Sequence, residues 1–262
     1  MTVPRPLVLV IAGTDSSGGA GLLRDVRTLE RMGVDVACAV TAVTAQTDAG
    51  VLSAHPVPPG QVRAQIVAAW SARTIGAVKI GMLGTQAAIE AVADVLEEHH
   101  GSAPVVLDPL LYASSGAALF EVAGLPALRS RLFPLATLLT PNLPEAAYLA
   151  GGGAFGGAVS TPPEARLAWA NALLGEGPQA VLLKGGHDEG PEASDLLVRR
   201  GVAPLWLTDG RLDARMRGTG CALASAIAGA LASGADLVQA CRRGRAYVRE
   251  LLGQARAGAP DA

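Results

Sequence analysis

Residues 7–31 read LVLVIAGTDSSGGAGLLRDVRTLER: an apolar run, Leu7–Ala12, the small-residue stretch GTDSSGGAG from Gly13 to Gly21, and a segment of amphipathic helical period. Six consecutive apolar residues suit a strand buried on both faces, and such strands belong to parallel sheets covered by helices. The small residues after the strand let a ligand approach the backbone, at the strand end where open α/β sheets bind their ligands. The spacing is neither GxGxxG nor GxxxxGK, so it is not a dinucleotide or P-loop fingerprint. On this stretch alone, a bland turn and a binding loop both stay open.

The alternation continues outward. Further strands are expected at Val36–Val43, Ala77–Ile80, Val105–Leu107, Thr137–Thr140 and Ala180–Leu183. Between them, Thr85 can cap a helix whose Ile89, Val92 and Leu96 share one face, and Thr161 with Glu164 makes a capping box with Pro162 in its first turn. Leu223, Ile227 and Leu231 mark a late helix ending at Gly234. The glycine-rich AGGGAFGGAVS, residues 150–160, reads as a surface loop, and with the alternation running on both sides of it one domain over residues 1–262 is expected.

Half of the 262 residues are apolar and 17% are charged, enough to bury a large core and too little charge for disorder. The net charge of −2 and the 3% of aromatic residues supply neither a basic field nor stacking platforms, which argues against nucleic acid as a partner. Cys38, Cys221 and Cys241 are too few and too scattered for a disulfide framework, and the six-residue run at Leu7 is too short for a membrane span or signal peptide. A cytoplasmic location with no membrane contact is the expectation.

Three more stretches carry chemistry. In RGTGCALASAIAG, residues 217–229, Gly218, Thr219 and Gly220 precede a helix whose free N–H groups and dipole can hold developing phosphate charge. Cys221 in the first turn is placed where a thiol pKa falls, so it can take a proton from a substrate hydroxyl, although a small buried thiol has the same sequence. In TPNLPEA, residues 140–146, Glu145 is an oxygen ligand suited to magnesium and Asn142 can bind water or phosphate, while ordinary helix capping stays open for both. In VLLKGGH, residues 181–187, a strand delivers Lys184, able to neutralise nucleotide phosphates, or simply solvated in a turn. His55, His99, His100 and His187 show no metal-ligand spacing.

Taken together and in order, GTDSSGGAG, TAVTAQT, KIGML, LDP, TPNLPEA, VLLKGGH and GTGC resemble the blocks of the hydroxymethylpyrimidine/phosphomethylpyrimidine kinases of thiamine biosynthesis. The likeness runs from Leu7 to Ala232. It implies a ribokinase-like three-layer α/β/α sandwich with a mostly parallel central sheet, a homodimer, and ATP- and Mg2+-dependent phosphorylation of a small pyrimidine alcohol. By the resemblance, Gly13, Ala20, Asp25, Gln46 and Met82 line the pyrimidine pocket, with Gln46 reading the ring's amino group. ATP and magnesium lie near Asp108, Asn142, Glu145 and Lys184. Gly218 and Gly220 form the anion hole, and Cys221 holds the position of the base.

Four departures stand out. LDPLLYASSG places Ser114 where the family carries a lysine, Arg217 replaces the common histidine before GTGC, and Ala222 replaces the common threonine after it. LLGQARAGAPDA lacks the family's glycine- and histidine-rich C-terminal motif. Two other functions compete: a pyridoxal or pyridoxine kinase of the same lineage, and a ligand-binding or regulatory homologue without turnover. Gln46 leans toward an aminopyrimidine, because an amide can pair with a ring nitrogen and an exocyclic amine together. The loss of a cation at Ser114 leads to the expectation that phosphorylation of the monophosphate is weaker than that of the alcohol.

Overall fold

A computed structural model describes residues 4–99, 101–113, 116–151, 161–186 and 190–258. Strand β1 (Leu7–Ala12) is buried along its whole length, and its residues alternate between two cores. Leu7, Leu9 and Ile11 join one core, Val8, Val10 and Ala12 the other. Both faces of the strand therefore need a helical cover, as its unbroken apolar sequence demands.

The covers are distributed accordingly. Helix α1 (Gly21–Arg31) lies on the second face, α2 (Pro59–Ala72) and α3 (Gln86–Glu98) on the first. Thr85 caps α3 through the Ala88 N–H, as its sequence predicts. Strands β2 (Asp35–Val40), β5 (Ala77–Ile80), β6 (Val105–Leu107), β7 (Leu138–Leu139) and β8 (Ala180–Leu183) run parallel to β1. The sheet closes with an antiparallel hairpin, β9 (Glu192–Arg199) and β10 (Val202–Gly210), in the order β10-β9-β8-β7-β6-β5-β1-β2. Short helical turns, Val122–Gly124, α4 (Leu125–Ala127), Leu128–Leu132 and Phe133–Leu135, pack on the first face with α5 (Leu143–Leu149) and α6 (Pro163–Gly175). Helices α7 (Thr219–Ala232) and α8 (Leu237–Arg256) complete the second face, making a three-layer α/β/α sandwich. No helix among the described residues is long and apolar enough to cross a membrane.

Two expectations are corrected, and two strands are added. The run Val36–Val43 is two strands: β2 stops at Val40, and β3 (Ala42–Thr47) leaves the sheet to pair with β4 (Gly50–Pro56) in a separate two-stranded flap. The pattern after Val40 alternates buried and exposed, which suits a strand covered on one face only. Thr161 makes no cap, because consecutive prolines move the helix start so that Pro162 is N-cap and Pro163 opens α6. Strands β9 and β10 were not expected, their sequences mixing polar with apolar residues. Helix α7 does end where expected, Gly234 taking a positive φ of 85° and donating to Leu231.

β1 has β2 on one side and β5 on the other, so the loops after β1 and β5 diverge to leave a crevice at their carboxyl ends. Gly13, Met82, Asp108 and Lys184 all follow strands at this one edge.

Candidate active site

The loop after β1 folds back tightly. The Gly13 carbonyl accepts from Leu22 N–H, and a Cβ on Gly21, which has φ of 57°, would stand 2.6 Å from that carbonyl. Beside it, a Cβ on Gly13 would meet the Met82 sulfur at 2.8 Å. Met82 packs with Ala42 and Leu119, so Gly13 and Met82 form a small apolar wall under the flap. The flap is stitched to the same loop: Thr44 Oγ1 donates to the Thr14 carbonyl at 2.7 Å, Gln46 N–H donates to Ser16 Oγ at 2.8 Å, and Ser16 Oγ donates back to the Gln46 carbonyl at 2.9 Å. Gln46 is thereby fixed by its backbone while its side chain stays half-buried, with Oε1 3.5 Å from Thr44 Oγ1.

Helix α7 begins against this loop. Gly218 is its N-cap with φ of 73°, and a Cβ there would lie 2.3 Å from the Gly19 carbonyl and 3.0 Å from the Ala20 Cα. Two turns of backbone meet with no room for a side chain between them. Gly220 faces the other way, the site of its missing Cβ lying 3.3 Å from Lys184 Nζ and 3.8 Å from Asp108 Oδ2. The free N–H groups of one helix start thus join an apolar, flap-covered half to a charged half.

In the charged half, Lys184 Nζ donates to Asp108 Oδ1 at 2.7 Å and Thr140 Oγ1 donates to the same oxygen at 3.1 Å. Asp108 Oδ2 is buried without a hydrogen-bond partner. Burial works against the Lys184 charge, but the Asp108 and Glu145 carboxylates outweigh it and raise the ammonium pKa. Asn142 and Glu145 form a reciprocal capping box, each side chain accepting the other's backbone N–H at 2.8 Å. The capping reading of this pair is therefore realised. Even so Glu145 is buried beside Lys184 and Asp108, and desolvation, only partly offset by Lys184, pushes its carboxyl up to about 7.

The loop following Lys184 is equally constrained: a Cβ on Gly185 would fall 1.9 Å from the Ser194 carbonyl, and Gly185 N–H donates to Asp195 Oδ1 at 2.7 Å. Asp195 is held in turn by Arg245 of α8.

Two expected residues behave differently from the sequence reading. The Asp25 carboxylate is wholly buried and does not line a pocket: Lys79 Nζ donates to Oδ2 at 2.7 Å and Ser225 Oγ to Oδ1 at 2.8 Å. Cys221 is not activated by its helix position, because burial pushes its thiol up to about 11, against the smaller opposing pull of Lys79. Lys79, Asp15 and Ser225 were missed, although a lysine inside the four-residue buried strand AVKI is itself a signal. Ser114, His100, His187 and residues 152–160 of the glycine-rich segment lie outside the described residues. His99 stacks on Trp70, ring centres 4.5 Å apart, far from this edge in the fold.

The phosphomethylpyrimidine kinase family matches residues 15–259. The chain belongs to that family. Among its relatives, the hydroxymethylpyrimidine/phosphomethylpyrimidine kinase of Rhizobium meliloti is 41% identical over 251 residues, covering 95% of this chain and 91% of the relative. The enzyme of the same name from Streptomyces coelicolor is 42% identical, covering 94% and 88%. Among solved structures, a phosphomethylpyrimidine kinase from Clostridium difficile superposes with a TM-score of 0.79 at 31% identity, covering 94% of this chain and 99% of its own. A Staphylococcus aureus pyridoxal kinase in complex with pyridoxal gives 0.85 at 28% identity, covering 96% and 89%. The fold is the ribokinase-like one, and this phosphomethylpyrimidine kinase family member is a kinase whose family uses ATP as donor.

Two outcomes follow from the buried charges. Lys79→Met leaves the Asp25 charge without its partner and is expected to cost about 3–5 kcal/mol in urea unfolding, most of it recovered when Asp25→Leu is added. Glu145 has a folded pKa raised from 4.5 to about 7, so the stability linked to its protonation is present below 4.5 and lost as pH rises through 7. Glu145→Gln is therefore expected to gain stability over the wild type between pH 5 and pH 8, on the order of 1–3 kcal/mol.

Proposed function

We propose that the chain, acting as a single domain over residues 1–262, transfers the γ-phosphoryl group of ATP to the hydroxymethyl oxygen of 4-amino-5-hydroxymethyl-2-methylpyrimidine, and less efficiently to its monophosphate. The observation that carries this reading is the start of α7, where Gly218 abuts the flap-covered loop after β1 and Gly220 faces Lys184 and Asp108. An acceptor ring seated by Gly13, Ala20, Met82 and the Gln46 amide brings its hydroxymethyl group to the helix start from one side. Phosphates neutralised by Lys184 and steadied by Asn142 arrive from the other. In-line phosphoryl transfer needs this positioning and charge neutralisation more than covalent chemistry.

The N–H groups around Gly218 and Gly220 hold the charge that develops on the transferring group. Cys221 takes the hydroxyl proton as the oxygen attacks. A thiol with its pKa near 11 is a strong acceptor once ionised and is seldom ionised at neutral pH, so the rate should climb with pH. Asp25 and Lys79 act from beneath, fixing the helix face that carries Cys221. The residues also fit Mg2+: Asp108, with a buried unpartnered oxygen, and Glu145 would hold it directly or through water. When bound, the ion would neutralise phosphate charge.

Under this reading the protein is a cytoplasmic homodimer. A pyridoxal kinase is the second reading, favoured by the superposition on the Staphylococcus aureus enzyme. Assays with ATP and each of hydroxymethylpyrimidine, its monophosphate and pyridoxal, resolving products by mass, separate the two. Highest efficiency on the pyrimidine alcohol is expected. A preference for pyridoxal would overturn it, comparable efficiency on alcohol and monophosphate would remove the effect assigned to Ser114, and no turnover on any of the three would leave a non-catalytic homologue. In the same assay Cys221→Ala should lower kcat by ~10²–10⁴-fold while nucleotide binding survives. The wild-type rise in kcat/KM between pH 7 and 9 should disappear in that variant.

A further inference from the structure

Arg217, which precedes the anion-hole glycine, points away from the charged half of the site. Its guanidinium donates to three groups on two other segments: Nη2 to Asp15 Oδ2 at 3.1 Å, Nη1 to Ser17 Oγ at 2.9 Å, and Nη1 to Asp48 Oδ1 at 2.9 Å. Asp15 is buried and also accepts from the Ser17 N–H and hydroxyl, so this half of the cluster is a fixed part of the loop after β1. Asp48 is different. It sits at the turn between β3 and β4, and its side chain is 91% exposed.

We infer that Arg217 is a positioning residue that clasps the flap to the anion-hole loop, with Asp48 as its releasable end. The clasp has a permanent grip, Arg217 on Asp15 and Ser17, and a weak one at the tip of the flap. Because β3 carries Gln46, and Gln46 is stitched to Ser16 next to the clasp, fastening the tip sets how far the flap sits over the acceptor pocket. Arg217 adjoins Gly218, which already touches Gly19 backbone to backbone. Flap position and anion-hole geometry are thereby mechanically linked. An exposed ion pair is weak and screened by salt, which suits a contact that opens to admit the acceptor and closes over it.

The inference rests on the acceptor binding beneath the flap, so the experiment includes one readout independent of that. Asp48→Asn changes a surface residue and should fold as the wild type does. With ATP saturating, the KM for the pyrimidine alcohol should rise about two- to fivefold, the range an exposed pair commands, with kcat little changed. The wild-type KM should rise with ionic strength toward the variant's value, and the variant's should stay flat. Asp48→Glu should restore the wild-type behaviour. Separately, hydrogen exchange of the amides of residues 42–56 in the ligand-free protein should be faster in Asp48→Asn. Unchanged exchange would overturn the clasp itself. Faster exchange with an unaltered KM would overturn its link to acceptor binding. If the wild type binds and turns over no pyrimidine alcohol, the proposed function fails, and the exchange comparison alone decides whether Arg217 holds the flap.

Discussion

The salt bridge between Lys79 and Asp25 has both partners wholly buried, and with Ser225 it ties together three elements. Lys79 comes from β5 inside the sheet, Asp25 from α1, and Ser225, which completes the cluster, from α7. Removing two charges from water is costly, and such pairs are often no better for stability than apolar residues of the same volume. What this one supplies is registry. Ser225 lies one helical turn beyond Cys221, so anchoring Ser225 fixes the rotation of the helix whose first turn makes the anion hole. Even Gly81 answers to it, because a Cβ there would stand 2.7 Å from Lys79 Nζ.

Much of the architecture was legible because parallel strands buried on both faces leave an unmistakable trace: β1, β5, β6 and β8 lie where their apolar runs place them. The flap and the β9–β10 hairpin were not legible, since their sequences alternate or mix polar with apolar residues, even though β9 is buried from Asp195 to Val198. The Gly13–Gly21 stretch was readable as a place of close backbone approach and Gly218 and Gly220 as a helix start, and the structure packs Gly218 against the Gly19 carbonyl. Charge partnerships were less readable. Asp25 and Lys79 are 54 residues apart, and Arg217 and Asp15 are 202 apart. Only the fold brings such pairs together. Cys221 illustrates a different limit: position at a helix start argues for a lowered thiol pKa, but desolvation, a property of the packed molecule, dominates.

The two halves of the site are built to different standards of rigidity. Around Lys184, the glycine loop is pinned to β9 through Gly185 and Asp195, and Arg245 reaches from α8 to brace Asp195. The acceptor half is framed by a loop and a two-stranded flap, joined mainly by hydrogen bonds to Thr14 and Ser16. On the proposed function, the braced side would hold the phosphate donor and the flap side would admit and release the acceptor ring.

The separation of β3 and β4 from the eight-stranded sheet also bears on ancestry. A hairpin that shares no strand pairing with the sheet can drift in sequence without endangering the folding of the scaffold. The scaffold beneath it is the part this chain shares both with a kinase named for a pyrimidine and with one named for pyridoxal.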